Sequence, residues 1–88
     1  MSSRGLIFCN RLAQAVKADG RSVKSIARHS GYSEAYLLRL IHGHRTNPSL
    51  ECIEVLSITL GRSIEWLIGL TDTDNYGMWS AELRPADA

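Results

Sequence analysis

Apolar residues recur at three- and four-residue spacing along the first 70 residues of the chain, which is the pattern of amphipathic helices. Serines that favour a helix start occur at Ser22, Ser33 and Ser63, and Pro48 stands where another helix can begin. Strand patterns are scarce and the connections are short, so the predicted fold class is all-α. Five helices are predicted, at residues 6–18, 23–30, 34–42, 48–60 and 64–70.

The apolar stripes identify the residues that should form the core. Cys9 and Cys52 fall among these apolar positions, so both are expected to be buried free thiols rather than a disulfide. The other expected core residues are Phe8, Leu12, Ala13, Ala15, Val16, Val23, Ile26, Ala27, Leu37, Leu40, Ile41, Leu50, Ile53, Leu56 and Leu60.

The second and third predicted helices are separated only by a tight turn containing Gly31. Glycine readily adopts the left-handed conformation that such a turn requires. Ala27 is small where the third helix should approach, and Ile26 and Leu37 should meet across the angle. This is the arrangement of a helix-turn-helix, whose second helix lies in the major groove of DNA. A plain corner between two helices of a bundle gives the same local signals, so this stretch leaves both readings open.

Charge is distributed unevenly along the chain. The 88 residues suffice for one domain with a small core, and the formal net charge is only +1. Residues 1–45 contain eight basic and two acidic residues, whereas residues 46–88 contain two basic and seven acidic ones. The basic half suits a polyanionic partner. No apolar run reaches the ~20 residues of a membrane span and no secretory signal is evident, so no membrane contact and a cytoplasmic location are expected.

The order and spacing of these elements resemble the lambda-repressor/Cro-type helix-turn-helix family, also called the XRE family. Leu12 and Gly20 match the first helix of that family, residues 22–40 its helix-turn-helix pair, and "GHRTNPSLECIEVLSITLGRSIEWLIGL" its fourth and fifth helices. The resemblance covers residues 8–70. It implies a five-helix lambda-repressor-like domain at residues 1–70 that binds operator DNA as a dimer, followed by a short tail at residues 71–88.

Several positions depart from the family pattern and alter individual expectations. Val23 stands where the family often has a glutamine that contacts the phosphate backbone, so Ser22 or Lys24 is expected to replace that contact. Tyr32 occupies the place of a smaller aliphatic residue, and Arg21 that of an apolar one.

DNA contacts are expected from two sets of residues. The outward face of the third helix selects the base-reading candidates Glu34, Ala35, Leu38 and Arg39, because its N-terminal part reaches base edges. For each charged candidate, an ordinary solvated surface residue is the alternative, and for Leu38 it is a dimer contact or packing at the core edge. Candidates for the DNA backbone are Ser22, Lys24, Ser33, Tyr36, His44, Arg45, Thr46 and Asn47, of which Asn47 could instead cap a helix.

A protein-interaction surface is expected on the acidic half, as a homodimer contact, the docking site of a second protein, or a surface covered by the tail. Its candidates are Val55, Ile58, Ile68, Tyr76, Met78, Trp79 and Leu83. No catalytic residue, cofactor or metal is expected. His42 and His44 are two residues apart, a spacing that does not place both on one face of a helix, and no cluster of cysteines or carboxylates completes a metal site.

The predicted function is sequence-specific binding of double-stranded DNA by a transcriptional regulator, in the form of a repressor acting as a homodimer on a pseudo-palindromic operator. The alternative is a protein-interaction or antitoxin-type module whose main partner is another protein.

Overall fold

The computed structural model describes residues 3–72, and side chains from residue 5 onward. This part of the chain is helical, as predicted, and its helices enclose one hydrophobic core. The helices are α1 (Ser3–Asp19), α2 (Val23–Ser30), α3 (Glu34–Ile41), α4 (Leu50–Leu60) and α5 (Ile64–Leu67).

Serine caps define the starts of four helices. Ser22, Ser33 and Ser63 cap α2, α3 and α5, as predicted, and each hydroxyl accepts a hydrogen bond from the backbone N–H three residues later at 3.1 Å. The start of α4 differs from the prediction, because Ser49 is the cap and Pro48 lies before it. This cap also excludes Asn47 from that role.

Apart from the start of α4, the helix ends agree with the sequence pattern to within one residue except at two places. Helix α1 begins at Ser3 rather than at residue 6. Helix α5 ends at Leu67 and not at Leu70, because Gly69 has a φ of +85° and the backbone N–H of Leu70 turns back to the carbonyl of Glu65. Residues 68–70 are therefore a turn.

The core contains most of the residues predicted for it. Leu50 is the exception that contradicts the prediction, since 69% of it is exposed. It is the first residue after the Ser49 cap, and the inward position on that turn of α4 is taken by Cys52, which is fully buried. Five other predicted core residues are half-buried rather than buried, namely Ala13, Val16, Val23, Ile41 and Ile53, and all of these except Ala13 pack against the core. The buried hydrophobic residues are Phe8, Cys9, Leu12, Ala15, Ile26, Ala27, Leu37, Leu40, Cys52, Leu56, Leu60, Trp66 and Leu67.

Both cysteines are buried free thiols, as expected. Burial raises the pKa of the Cys9 and Cys52 thiols, so both remain protonated near neutral pH. Each cysteine side chain consequently acts as a small apolar group of the core, and its S–H is a weak hydrogen-bond donor.

The turn between α1 and α2 is tied to the C-terminal end of α4 by Arg21. Its guanidinium donates to both carboxylate oxygens of Asp19, at 2.6 and 3.0 Å, and to the carbonyl of Thr59 at 2.7 Å. These hydrogen bonds hold the pKa of Asp19 below its ordinary value, against a smaller opposing effect of burial. Arg21, which departs from the family pattern, therefore has a structural role.

The Asp19–Arg21 pair predicts a specific dependence of stability on pH. The folded-state pKa of Asp19 is lowered, so the pair stabilises the fold above the unfolded-state pKa, and this contribution is lost as the pH falls through the folded-state pKa. Asp19→Asn should be less stable than the unsubstituted chain at pH 7, and the difference should shrink in acid. Urea denaturation at several pH values measures both. A difference that stays constant down to pH 2 would contradict this account.

Candidate nucleic-acid interface

Helices α2 and α3 form the predicted tight pair. Gly31 has a φ of +86°, and its N–H donates to the carbonyl of Ala27 at 2.9 Å, which ends α2 and turns the chain within three residues. Ile26 and Leu37 are both buried in the common core cluster, and Ala27 is only 6% exposed. The apolar faces of the pair thus point inward, which leaves the opposite face of α3 outside.

Three of the four base-reading candidates are exposed at the surface. Glu34, Ala35 and Arg39 are exposed, while Leu37 of the same helix is buried. Leu38 is half-buried, although helical geometry places it between Glu34 and Ala35 on the outer face. The structure thus gathers Glu34, Ala35 and Arg39 on one solvent-facing surface of α3.

Stacked rings connect α3 to the residues that follow it. The rings of Tyr32 and Tyr36 lie 5.5 Å apart between centroids, and the guanidinium carbon of Arg45 lies 5.6 Å from the centroid of Tyr36. Burial, followed by the neighbouring Cys52 thiol, raises the pKa of Tyr36. Tyr36 is half-buried, and its ring supports Arg45.

The segment after α3 folds back on the end of that helix. The carbonyl of Arg39 accepts hydrogen bonds from the N–H groups of His44 at 2.8 Å and Arg45 at 3.2 Å. Residues 44–47 are called the anchor loop below. Its His44, Arg45 and Asn47 are exposed and Thr46 is half-buried, so the four backbone-contact candidates of this loop lie together beside the C-terminal end of α3.

The remaining backbone-contact candidates lie at helix starts. Ser22 and Lys24 are exposed at the beginning of α2, and Ser33 is exposed at the beginning of α3. The hydroxyls of Ser22 and Ser33 already accept capping hydrogen bonds. Each retains its own O–H as a donor.

The candidates for a protein-interaction surface are less uniform. Ile58 is 72% exposed on α4, whereas Val55 and Ile68 are half-buried and Ile68 packs against the core. Within residues 3–72, Ile58 is thus the one member of this set that is exposed. The candidates Tyr76, Met78, Trp79 and Leu83 lie outside the described residues.

Several contacts of two arginines had no signal in the sequence pattern. Arg11 donates to the carbonyls of Trp66 at 3.0 Å and Thr71 at 3.1 Å, and it forms an ion pair with Asp72 at 3.0 Å. The guanidinium carbons of Arg11 and Arg62 lie 4.8 and 5.2 Å from the ring centroid of Trp66. The partners of Arg11 lie more than 50 residues away in sequence, so only the folded chain reveals them. Arg62 and Trp66, by contrast, are only four residues apart.

Potential metal ligands are scattered in the described part of the chain. Its histidine, cysteine and carboxylate side chains do not gather in groups of three or more that could hold a metal ion. The His42 and His44 rings are 6.1 Å apart between centroids. No helix within residues 3–72 has the length and apolar composition to cross a membrane.

A comparison with curated proteins finds similarity to the HTH-type transcriptional regulator SinR of Bacillus licheniformis. The two sequences are 30% identical over 66 residues, which is 75% of this chain and 60% of the relative. The chain therefore spans less than two thirds of that relative's length. Together with the all-helical fold, this similarity supports the helix-turn-helix resemblance at the level of the family, and it points to no individual member. No protein-family model matches the chain, and no solved structure matches it significantly.

The Ser33 cap yields a prediction for the stability of α3. Ser33→Ala should lower the free energy of unfolding by about 1 kcal/mol, because the N–H of Tyr36 loses its acceptor. Ser33→Asn should retain most of the stability, since asparagine is an equally good cap. Urea denaturation of the three chains measures the differences. Equal losses in both variants would show that the cap is not the stabilising interaction.

Proposed function

We propose that this protein is a transcriptional regulator that binds double-stranded DNA in a sequence-specific manner through α3. The observation that carries the proposal is the exposed outer face of α3 in a helix-turn-helix, with Glu34, Ala35 and Arg39 on it. In such pairs the N-terminal part of the second helix enters the major groove. The 30% identity to a transcriptional regulator supports the same conclusion.

The chemistry of this face suits the edges of base pairs. Arg39 can donate two hydrogen bonds to O6 and N7 of guanine, and Glu34 can accept one from N4 of cytosine. Ala35 and the half-buried Leu38 can contact thymine methyl groups. Such a set discriminates between base pairs, which a uniformly basic surface would not do.

The phosphate backbone would be contacted from both sides of α3. Ser22, Lys24 and Ser33 lie at the helix starts, and the anchor loop provides His44, Arg45, Thr46 and Asn47. Tyr36 is half-buried and its ring lies against the Arg45 guanidinium, so it would support Arg45 as well as offer its own hydroxyl to a phosphate. Contacts of this kind fix the register of the protein on the duplex.

Not every basic residue of the N-terminal half contributes equally to attraction of DNA. Arg11 and Arg21 are paired with Asp72 and Asp19, respectively. The exposed Lys24, Arg39 and Arg45 carry more of the positive field toward a duplex.

The regulator would act as a homodimer and as a repressor that blocks polymerase at a promoter. Residues 1–70 would form the DNA-binding domain, and residues 71–88 would be a tail that contacts the dimer partner or a second protein. Two α3 helices related by a twofold axis should lie about 34 Å apart, so the half-sites of a pseudo-palindromic operator should be centred ~10 base pairs apart.

Two arginine variants test the proposed division of roles. The operator is first selected from a random DNA pool, and binding is then measured at several salt concentrations. Arg39→Ala should lose about 1–3 kcal/mol of binding free energy on the operator, and it should relax the preference for one base pair. Arg45→Ala should weaken binding to operator and random duplexes alike. It should also reduce the salt slope, which is the steepness with which the logarithm of the binding constant falls with the logarithm of the salt concentration, by about one.

Lys17→Ala is the charge-matched control for both variants, because Lys17 is exposed on α1 outside the proposed interface. Equal losses on operator and random DNA for Arg39→Ala would remove Arg39 from the base-reading set. A chain that binds no duplex in dilute buffer would refute the proposed function itself.

The second candidate function is a protein-interaction module, and the exposed apolar Ile58 favours it. Ile58 lies on the outer face of α4 beside the exposed Glu51 and Glu54. An exposed isoleucine of this kind suits a homodimer contact or a second protein.

Ile58→Gln tests whether this surface holds the dimer together. If it does, the dimer dissociation constant should rise about tenfold or more while the stability of the monomer is unchanged. Light scattering over a range of protein concentrations measures the dissociation. Leu6→Gln is the control, because Leu6 is an exposed leucine on α1. A dimer that both variants leave intact would place the dimer contact elsewhere.

A further inference from the structure

The first turn of α1 lies directly against the anchor loop. A Cβ atom added to Gly5 would lie 2.1 Å from the carbonyl oxygen of Thr46. That oxygen belongs to the backbone, so the overlap could be relieved only by moving the loop or the helix. Gly5 lies within α1, where alanine is ordinarily preferred over glycine. The close approach of Thr46 is thus a physical reason for glycine at this position.

A second residue of α1 holds the neighbouring peptide group of the loop. Cys9 donates its thiol hydrogen to the carbonyl oxygen of Arg45, with 3.2 Å between sulfur and oxygen. Cys9 is 4% exposed, and burial raises the pKa of its thiol, so the donor hydrogen is retained at neutral pH. Gly5 and Cys9 are four residues apart and so share one face of α1.

The other side of the loop is held by α3. The N–H groups of His44 and Arg45 both donate to the carbonyl of Arg39, and the Arg45 guanidinium lies over the Tyr36 ring. The anchor loop is therefore fixed between the first turns of α1 and the end of the proposed recognition helix. Its exposed Arg45 side chain starts from a backbone that is held on both sides.

We propose that Gly5 and Cys9 are positioning residues for a DNA-backbone contact made by Arg45. The inference rests on the proposed function and extends its interface to a helix that does not itself touch DNA. Arg45 meets the phosphate, and Gly5 and Cys9 act on DNA only through the placement of the anchor loop. A loop fixed before binding loses less conformational entropy when the complex forms, which strengthens the contact.

A double-mutant cycle on the full chain tests this arrangement, with the selected operator and a random-sequence duplex as probes. Gly5→Ala should weaken binding to both duplexes several-fold and reduce the salt slope by about one, as Arg45→Ala does. Adding Arg45→Ala to Gly5→Ala should lower the affinity by less than about a further twofold, because both substitutions remove the same contact with the phosphate. Leu6→Ala, at the next position of α1, is the control and should leave the slope unchanged.

A matched pair at Cys9 keeps the inference testable if Gly5→Ala does not fold. Cys9→Ala and Cys9→Ser both remove the sulfur, but only serine keeps a donor for the Arg45 carbonyl. The salt slope of the serine variant should equal that of the unsubstituted chain, and the salt slope of the alanine variant should be lower by about one. Equal slopes in this pair, or fully additive losses in the cycle, would overturn the inference.

The outcomes also separate this inference from the proposed function. An unsubstituted chain that binds neither duplex refutes both. Tight binding by the unsubstituted chain, with salt slopes that Gly5→Ala and Cys9→Ala leave unchanged, refutes only the positioning role. Amide hydrogen exchange in the free protein gives an independent readout, since His44 and Arg45 should exchange faster in Gly5→Ala than in Leu6→Ala.

Discussion

The close packing of α3 on α2 is the contact on which the proposed interface depends. Gly31 turns the chain, and Ala27 is small enough to let the second helix approach. Ile26 and Leu37 are then buried in one cluster. Because α3 has only eight residues, its inward side chains determine which residues remain outside. A rotation of α3 about its own axis would bury Arg39 or expose Leu37, and either change carries a large cost.

Helices this short are not stable on their own in water, because too few hydrogen bonds offset the ordering of the first turn. Helices α2 to α5 have between four and eleven residues. Their stability comes from the shared core and from serine caps that satisfy otherwise unpaired N–H groups at four starts. This repeated device holds the proposed recognition surface in place although α3 itself has only eight residues.

Much of the fold could be predicted from the sequence, because periodicity and capping are local properties. The spacing of apolar residues identified all five helices, and glycines and serines located most of their ends. Leu50 was wrongly assigned to the core, because an apolar residue on the first turn of a helix fits the apolar stripe whether or not the core reaches it. The start of α4 was also wrong, since Ser49 and not Pro48 is where the helix is capped.

The candidate site was predictable only in part. The outward face of α3 follows from helical geometry, so the exposure of Glu34 and Arg39 could be anticipated. The support beneath the anchor loop could not, because Gly5 and Cys9 lie about 40 residues before the loop and carry no motif. The partners of Arg11 are likewise set by tertiary packing, since all three lie more than 50 residues away.

The two arginines over Trp66 give the molecule a natural optical reporter. The emission of an indole ring depends on nearby charge and on water, and here the guanidinium groups of Arg11 and Arg62 lie about 5 Å from the ring. Trp66 is 8% exposed and is the tryptophan at the junction of α1 and α5. Loosening of that junction would therefore change the fluorescence of Trp66. In a chain whose second tryptophan is replaced, as in Trp79→Phe, the wavelength of the emitted light would follow the opening of this end of the domain without an added dye.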